Sequence, residues 1–110
     1  MIRALHHPPA ATLTLARVLH ALADPVRLAF VCVLVEEGGG INCAGTMAKA
    51  GLAMPKSTCS LHFQILRKAG VVRSERRGVE LINYLRADDL QTRFPGLLDT
   101  ILAAHAVEAA

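Results

Sequence analysis

The chain has very few aromatic side chains. Its 110 residues include no tryptophan, one tyrosine and three phenylalanines, whereas hydrophobic residues make up 53% of the sequence. We therefore expect a core built from leucine, valine, isoleucine and alanine. The length fits one domain, and a domain this small gains stability when it buries further surface in an oligomer.

Long apolar runs are also lacking in the sequence. The longest, LAFVCVLV, covers eight residues from Leu28 to Val35, far fewer than the ~20 that a membrane-spanning helix needs. The first residues lack the apolar segment of a signal peptide. We therefore expect a cytoplasmic protein that has no membrane partner.

The sequence has few cysteines, and their spacing forms no metal-binding or redox motif. Cys32, Cys43 and Cys59 are an odd number without a Cys-x-x-Cys pair, so reduced thiols are expected, although a disulfide from Cys32 to either of the others stays open. Cys32 and Cys59 lie on apolar helical stripes, which predicts core positions. Cys43 follows Asn42 at a predicted helix start, and such a position favours a reactive thiolate.

Positive charge is concentrated in the middle of the chain. The formal net charge is +3, but residues 56–86 contain seven basic and two acidic residues, so the rest of the chain sums to −2. A basic segment of this kind permits nucleic-acid binding. The seven are Lys56, Arg67, Lys68, Arg73, Arg76, Arg77 and Arg86.

Four helices are predicted before residue 71 from apolar residues at helical spacing. Asp24 and Asn42 are typical N-caps, and Pro25 suits a first helical position. Gly51 and Gly70 are typical of helix ends. The predicted spans, with Thr12 as the cap of the first, are about 12–23, 24–37, 42–50 and 55–69.

After residue 70 the hydrophobic period changes to two. The segment VVRSERRGVELINYLR predicts two strands joined by a tight turn over residues 76–79. In the second strand Leu81, Asn83 and Leu85 share one face, with Ile82 and Tyr84 on the other. Asp88 and Asp89 are expected to end the second strand, and the final segment predicts a helix whose stripe is Leu98, Ile101, Leu102 and His105.

This order of elements predicts the fold. A short helix, a turn, a polar-faced helix and a basic hairpin are typical of a winged helix–turn–helix, which is mainly α with a small β-hairpin. Residues 1–11, which contain Pro8-Pro9, predict a flexible N-terminal arm. Residues 12–110 are predicted to form the DNA-binding and dimerisation domain.

The fourth helix has two different faces. A rotation of ~100° per residue places Cys59, His62, Phe63 and Leu66 on one side, and Ser57, Ser60, Leu61, Gln64 and Lys68 on the other. The first side predicts core. The second suits a major groove, because glutamine pairs with adenine, serine bonds base edges or phosphate, and leucine contacts a thymine methyl. The alternative is an ordinary solvated surface, and the basic hairpin that follows favours DNA.

The predicted DNA contacts come from this helix and the hairpin. Side chains on the polar helical face are expected to contact bases, and the basic ones mainly phosphates. Arginines of the hairpin are expected to contact phosphate or the minor groove. The predicted set is Lys56, Ser57, Thr58, Ser60, Leu61, Gln64, Arg67, Lys68, Arg73, Arg76 and Arg77.

Three segments carry a family resemblance. ALADPVRLAFVCVL, KSTCSLHFQILRKAGVV and RRGVELINYLR resemble the ArsR/SmtB family of bacterial winged-helix repressors over about residues 15–103. The resemblance implies a homodimer joined through the first and last helices, and a repressor that leaves a palindromic operator when an unidentified effector binds. It places the recognition helix at Lys56–Lys68 and the wing at Arg73–Arg86. A winged helix that binds proteins instead of DNA is the alternative.

The metal-binding motifs of the same family are only partly present in this sequence. His105 and Glu108 match half of the family's zinc motif, but the other half falls on Thr92 and Phe94, which are not ligands. Cys43 stands alone where arsenic-sensing relatives have a cysteine cluster. We therefore predict no cofactor. A thiol- or metal(loid)-responsive sensor that uses Cys43 stays as the alternative, with Cys43, His105 and Glu108 as the metal candidates.

Two further sets of residues have side chains that are common in catalytic or metal sites. Cys59 and His62 are helix neighbours, as a nucleophile and its base would be, but both are predicted in the core without a third group. We therefore predict that the chain is not an enzyme. His6, His7 and His20 are a second metal candidate, for which an exposed, unstructured arm is the alternative.

Overall fold

The computed structural model describes residues 5–109 of the chain. They form six helices and one antiparallel hairpin, which confirms the predicted class of mainly α with a small β-hairpin. Predictions for residues 1–4 of the arm and for Ala110 lie outside the described residues. The elements are a 3-10 turn Ala10–Thr12, α1 Leu15–Leu22, α2 Pro25–Glu37, α3 Cys43–Ala50, α4 Lys56–Lys68, β1 Val72–Arg77, β2 Glu80–Leu85, α5 Ala87–Arg93 and α6 Leu97–Ala109.

The predicted caps of α2 and α3 are confirmed. The Asp24 carboxylate accepts hydrogen bonds from the N–H groups of Val26 at 2.8 Å and Arg27 at 3.1 Å, and Asn42 accepts the N–H of Gly45 at 2.8 Å. Gly51 ends α3 with φ 67°, a conformation in which glycine avoids the steric cost of a Cβ. Local sequence therefore determines where the helix–turn–helix begins.

The predicted cap of α1 is wrong. Thr14, not Thr12, lies at the N-cap, where its side chain accepts the N–H of Arg17. Thr12 instead ends the 3-10 turn, and its hydroxyl donates to the Pro9 carbonyl at 2.8 Å. Both threonines suit a cap by residue type, but Pro9 starts a turn that uses the first one.

Two phenylalanine rings lie at the centre of the core. Phe30 of α2 and Phe63 of α4 stack with their ring centroids 5.1 Å apart. Leu66 of α4, Val18 of α1 and Val71 surround them, each with at most 1% of its surface exposed. The aliphatic core predicted from composition is therefore present, and two of the four aromatic residues lie where α2 and α4 meet.

A buried arginine joins α1, α2 and α4. The Arg27 side chain, 10% exposed, donates from Nε to the carbonyl of Ala21 at 2.6 Å and from its terminal nitrogen to that of His20 at 3.3 Å. Both carbonyls lie in the last turn of α1, and that of His20 also accepts the N–H of Ala23 at 3.3 Å. The other terminal nitrogen lies 3.4 Å from His62 Nδ1 on α4. Arg27 therefore fixes the end of α1 against α4.

The hairpin turn lies one residue later than predicted. Arg77 pairs with Glu80, so Arg76 and Arg77 are the last residues of β1 and the loop is Gly78-Val79. Gly78 has φ 60°, as the first residue of a type II′ turn requires. The predicted turn over residues 76–79 contains this glycine, but the sequence pattern did not show which position in the turn it takes.

The loop before α3 extends the hairpin sheet. Ile41 and Asn83 exchange both main-chain hydrogen bonds, at 2.9 and 3.1 Å, so Ile41 pairs with β2 on the edge opposite β1. Gly40 makes this approach possible, because a Cβ there would collide with Ile82 and the Tyr84 ring. The wing is therefore attached to the start of α3.

One helix was missed. Asp88 and Asp89 were expected to end the second strand, but they occupy the first turn of α5. Carboxylates are favourable there because the positive end of the helix dipole is close. Arg86, just before α5, donates to Asp89 at 3.0 Å. A pair of aspartates after a strand is therefore as compatible with a helix start as with a break.

The described residues contain no single helix that is both long and apolar enough to cross a membrane. Taken together, α1 and α2 have the length and composition that a membrane span requires, but the two helices meet at a bend of 98°.

Replacing Asp24 with alanine is expected to lower the free energy of unfolding by about 1 kcal/mol at pH 7, because α2 loses its cap. Burial opposes ionisation of this carboxyl, but the N–H groups of Arg27 and Val26 and the Arg27 charge outweigh it, so the pKa of Asp24 lies below its ordinary 3.8. The ionised cap therefore stabilises the fold above pH 3.8, and this contribution is lost as the pH falls through the lowered pKa.

Urea unfolding of both proteins between pH 7 and pH 3 measures the difference. Asp24→Asn is the control, since it keeps the acceptor, and it should lose less stability than the alanine variant. Equal stability of the wild type and Asp24→Ala at pH 7 would contradict the role of the cap.

Candidate nucleic-acid interface

A groove runs between α4, the start of α3 and the hairpin. Its volume is about 620 Å³. Seven of the eleven predicted DNA contacts line it, namely Lys56, Ser57, Ser60, Leu61, Gln64, Arg67 and Arg76. The other lining residues are Asn42, Cys43, Ala44, Phe63, Val79, Glu80, Leu81 and Asn83. The groove therefore combines polar side chains that suit bases with three cations that suit phosphates.

The two faces of α4 are placed as predicted, except that His62 is half-buried rather than in the core. Cys59, Phe63 and Leu66 have at most 2% of their surface exposed. Ser57 and Ser60 are exposed and Gln64 is half-buried on the groove side. Burial of the apolar face thus fixes the rotation of α4 about its axis, and that rotation turns the polar face towards the groove.

The N-terminus of α4 opens into the same groove. Pro55 occupies the N-cap, and within the described residues no side chain caps this helix. Lys56 and Ser57, its first two residues, line the groove. Uncapped N–H groups beside a lysine favour an anion such as a phosphate.

The two faces of the hairpin separate the wing arginines. Ser74 and Arg76 alternate along β1 on the face towards α4, opposite Asn83 and Leu81 of β2. Arg73 and Arg77 point to the other face because strand side chains alternate. Only Arg76 among the three predicted wing arginines lines the groove.

The arginines on the outer face have partners of their own. Arg73 lies 4.3 Å from the centre of the Tyr84 ring and 3.3 Å from the Glu75 carboxylate. Arg77 donates to Glu75 at 3.4 Å and to the Tyr84 hydroxyl at 3.2 Å. Glu75 therefore neutralises part of the charge that the sequence assigned to DNA.

Thr58 and Lys68 are exposed on α4 but do not line the groove. Several lining residues were not predicted. Asn42 was recognised only as a cap, yet its amide nitrogen also donates to Glu80 at 2.9 Å, which attaches the wing to α3. Val79, with 93% of its surface exposed, lies at the wing tip. Strand alternation is the sequence signal that would have separated Arg76 from Arg73 and Arg77, had the turn been placed correctly.

Comparisons with known proteins agree with this geometry. No protein-family model matches the chain. The HTH-type transcriptional repressor SmtB of Mycobacterium tuberculosis is 39% identical over 104 residues, which are 94% of this chain and 70% of the relative. An uncharacterized HTH-type transcriptional regulator of Bacillus subtilis, YceK, is 34% identical over 86 residues, 78% of this chain and 84% of the relative. The chain belongs to the ArsR/SmtB family of winged helix–turn–helix transcriptional regulators.

A solved structure extends the family comparison to three dimensions. The homodimeric winged helix–turn–helix DNA-binding domain Mb0332 of Mycobacterium bovis, described as a possible ArsR-family regulator, superposes with a TM-score of 0.63. The sequences are 25% identical, and the match covers 86% of this chain and 82% of that one. The family resemblance drawn from sequence motifs and the winged helix–turn–helix fold are both confirmed.

Two of the three cysteines of this ArsR/SmtB-family chain lie where α3 meets α4. The Cys59 thiol is fully buried and lies 3.9 Å from the Cys43 carbonyl, to which it donates. Burial, followed by the neighbouring Cys43, raises the pKa of Cys59 to about 12. The Cys43 sulfur, half-buried beside the groove, lies 4.0 Å from the Ser60 hydroxyl. Burial and the charge of Glu36 raise the pKa of Cys32, and all three cysteines are free.

The metal candidates of the sequence lie on different elements. Cys43 begins α3, whereas His105 and Glu108 lie on α6. Across residues 5–109, no three side chains of histidine, cysteine, aspartate or glutamate are grouped as a metal site would need. His7, a candidate in the arm, instead contacts β1.

The cysteines are expected to differ in alkylation rate. In the native protein at pH 8, iodoacetamide should modify Cys43 faster than Cys59, because Cys59 is buried and almost entirely protonated at that pH. Peptide mass spectrometry over a time course measures the order, with urea-unfolded protein as the control in which all three react. Modification of native Cys59 as fast as Cys43 would contradict the placement of the two thiols.

Proposed function

We propose that the chain is a sequence-specific DNA-binding repressor that acts as a homodimer. The observation that carries this proposal is the groove between α4 and the wing, in which Lys56, Arg67 and Arg76 accompany base-compatible side chains of α4. Membership of a family of transcriptional regulators and the repressor SmtB among the relatives support it. We propose that the chain is not an enzyme.

The groove suggests how DNA is bound. With α4 in the major groove, one phosphodiester strand passes between α4 and the wing, where Arg67 and Arg76 lie on its two sides. Ser57, Ser60, Leu61 and Gln64 contact base edges. Lys56 and the first N–H groups of α4 bind a phosphate.

The remaining predicted contacts lie around this groove. Thr58 and Lys68 are exposed on α4, and we assign them to phosphates at the edge of the interface. Arg73 and Arg77 share Glu75 on the outer face of the wing, so the two arginines together carry no more net charge than Arg76 alone. They contribute long-range attraction more than a close contact.

The homodimer is supported by apolar side chains that the single chain leaves uncovered. Leu15 and Leu19 of α1 are 46% and 43% exposed, and Val107 of α6 is 79% exposed. Among the described residues of α6, none is buried. These are the two helices through which the family resemblance implies dimerisation. A two-fold dimer matches a palindromic operator whose half-sites are about one turn, ~10 bp, apart or a multiple of that.

Release by an effector belongs to the same proposal, and Cys43 favours a thiol-responsive form of it as second candidate. Cys43 lines the groove beside Ser60. A group added to its sulfur would occupy space that we assign to DNA. This candidate is supported if alkylation abolishes operator binding by the wild type but leaves operator binding by Cys43→Ser intact. Equal loss of binding in both proteins would exclude it.

Catalysis by Cys59 and His62 has little support from their surroundings. The Cys59 thiol faces the carbonyl of Cys43 in the core, and burial keeps it protonated. His62 Nδ1 contacts Arg27 rather than the thiol. A nucleophile needs an adjacent base and access to substrate.

Substitutions in the groove are expected to separate base contacts from phosphate contacts. Gln64→Ala should relax preference at one base position and cost about 1–3 kcal/mol at the preferred base if that contact is bidentate. Arg76→Ala should weaken binding to all sequences and reduce the slope of log affinity against log salt by about one per subunit. Fluorescence anisotropy with upstream promoter DNA across a salt series measures both.

Arg77→Ala is the matched control, since it removes the same charge from the neighbouring residue on the outer face. It should reduce the salt slope less than Arg76→Ala does. An equal or larger effect of Arg77→Ala would overturn the assignment of Arg76. Absence of salt-sensitive, sequence-selective binding by the wild type would favour a winged helix that binds proteins.

A charge on α1 is expected to dissociate the dimer. Leu19→Asp places a carboxylate on the apolar surface and should shift the protein towards monomer, because an unpaired charge is costly to bury. Val79→Asp, at the remote wing tip, should leave the dimer intact. Analytical ultracentrifugation measures both, and an unchanged dimer in Leu19→Asp would place the interface elsewhere.

A further inference from the structure

The N-terminal arm is attached to the wing through a histidine. The Nε2 atom of His7 lies 3.0 Å from the main-chain nitrogen of Ser74 and accepts its hydrogen bond. The next residue, Pro8, accepts a hydrogen bond from Arg86 at 2.8 Å through its carbonyl. Two consecutive arm residues are therefore bound to the hairpin on the side away from its turn, one to β1 and one to the residue after β2.

His7 occupies a free strand edge. Asn83 uses both of its main-chain groups to pair with Ile41, so the facing pair of Ser74 and Asn83 exchanges no main-chain hydrogen bonds. The N–H of Ser74 therefore points away from β2, towards the open edge of β1. Ser74 is only 4% exposed, and an unsatisfied donor there would be costly. His7 supplies its acceptor.

Ser74 also connects the arm to the recognition helix. Its hydroxyl donates to Asn83 at 2.7 Å and accepts from Arg67 of α4 at 3.2 Å. Asn83 in turn donates to the carbonyl of Ile41 at 3.4 Å. One chain of hydrogen bonds thus runs from the arm through the wing to α4.

The surroundings of His7 are strongly positive. Arg67 of α4, Arg73 of β1 and Arg86 after β2 lie near the ring, together with His6 of the arm. Two acidic side chains of the neighbouring elements, Glu75 of β1 and Asp89 of α5, are paired with Arg73 and Arg86. These surroundings favour a neutral imidazole that is protonated at Nδ1, because Nε2 can then accept the Ser74 N–H. An imidazolium has no acceptor nitrogen, and the nearby arginines repel its positive charge.

We propose that His7 is a positioning residue for DNA binding. In its neutral form it accepts the Ser74 N–H and so holds the arm on β1, a contact that we call the latch, and through Ser74 and Arg67 it holds the wing against α4. Protonation of His7 breaks this hydrogen bond and releases the arm. Arg67 then has a structural role beside its contact with phosphate. The latch makes the arm a pH-sensitive part of the interface. Its effect on DNA rests on the proposed function, but the latch itself does not.

The pH dependence of arm docking follows from the pKa of His7 when the arm is docked. Burial, and then Arg67, Arg86, Arg73 and His6, lower the pKa of His7 from its ordinary 6.5. Docking of the arm is therefore at full strength above pH 6.5. It weakens as the pH falls from 6.5 to the lowered pKa, and below that value the loss is complete.

DNA binding is compared between pH 8 and pH 5.5 for the wild type, His7→Gln and His6→Gln. Glutamine keeps an acceptor near the position of Nε2 but does not titrate in this range. We expect the affinity of the wild type relative to His7→Gln to fall about two- to tenfold as the pH drops, the factor for one hydrogen bond. His6→Gln, the exposed neighbour, should keep the pH dependence of the wild type. If the wild type instead gains affinity relative to His7→Gln as the pH falls, protonated His7 binds a DNA phosphate, and the proposed latch is wrong.

Hydrogen exchange without DNA tests the latch independently of the proposed function. At pH 7.5 the Ser74 amide should exchange about two- to tenfold faster in His7→Ala than in the wild type. Asn83, whose N–H bonds Ile41, should be unchanged. Equal exchange of Ser74 in both proteins would overturn the latch even if DNA binding is confirmed. Faster exchange in a protein that binds no DNA would keep the latch and refute only the proposed function.

Discussion

The hydrogen bonds of two buried polar side chains, Ser74 and Asn83, determine how the parts of this molecule fit together. Asn83 is 1% exposed and Ser74 4%, so neither has water as a partner, and a buried polar group without a partner is expensive. Their side chains have partners on separate elements, namely Ile41 before α3 and Arg67 on α4, and the main-chain N–H of Ser74 has His7 in the arm. The wing is thus held at a fixed place beside α4, as two-part recognition of DNA requires.

The polar face of α4 depends on its apolar face. Phe63 stacks on Phe30, and Cys59 and Leu66 are fully buried beside them, so α4 has one rotation about its axis. Arg27 sets its position from the other side, since this side chain holds the end of α1 and contacts His62. Because α1 also presents Leu15 and Leu19 to solvent, the same arginine connects the surface proposed for dimerisation to the helix proposed for DNA.

Much of this fold was predictable because its signals are local. Asp24, Asn42, Gly51 and Gly70 mark helix ends by side-chain and backbone preferences that need no distant partner, and the two faces of α4 follow from helical period alone. Partners distant in sequence were not predictable. Nothing near His7 indicates that its acceptor faces Ser74, and nothing near Arg73 shows that Tyr84 and Glu75 take up its charge. Errors at Thr12, at the wing turn and at Asp88 arose where one residue type serves two local structures.

The pairing register of the wing has a consequence for how such proteins diverge. Arg76 faces α4 because it lies two residues after Ser74 and four after Val72 in an unbroken strand opposite β2. A single inserted residue in β1 would turn its side chain to the outer face and bring Arg77 inward, because strand side chains alternate. Wings that keep a cation towards the recognition helix should therefore differ in strand length by even numbers of residues. Sequence alignments that place single-residue gaps within the wing would then align side chains from opposite faces of the sheet.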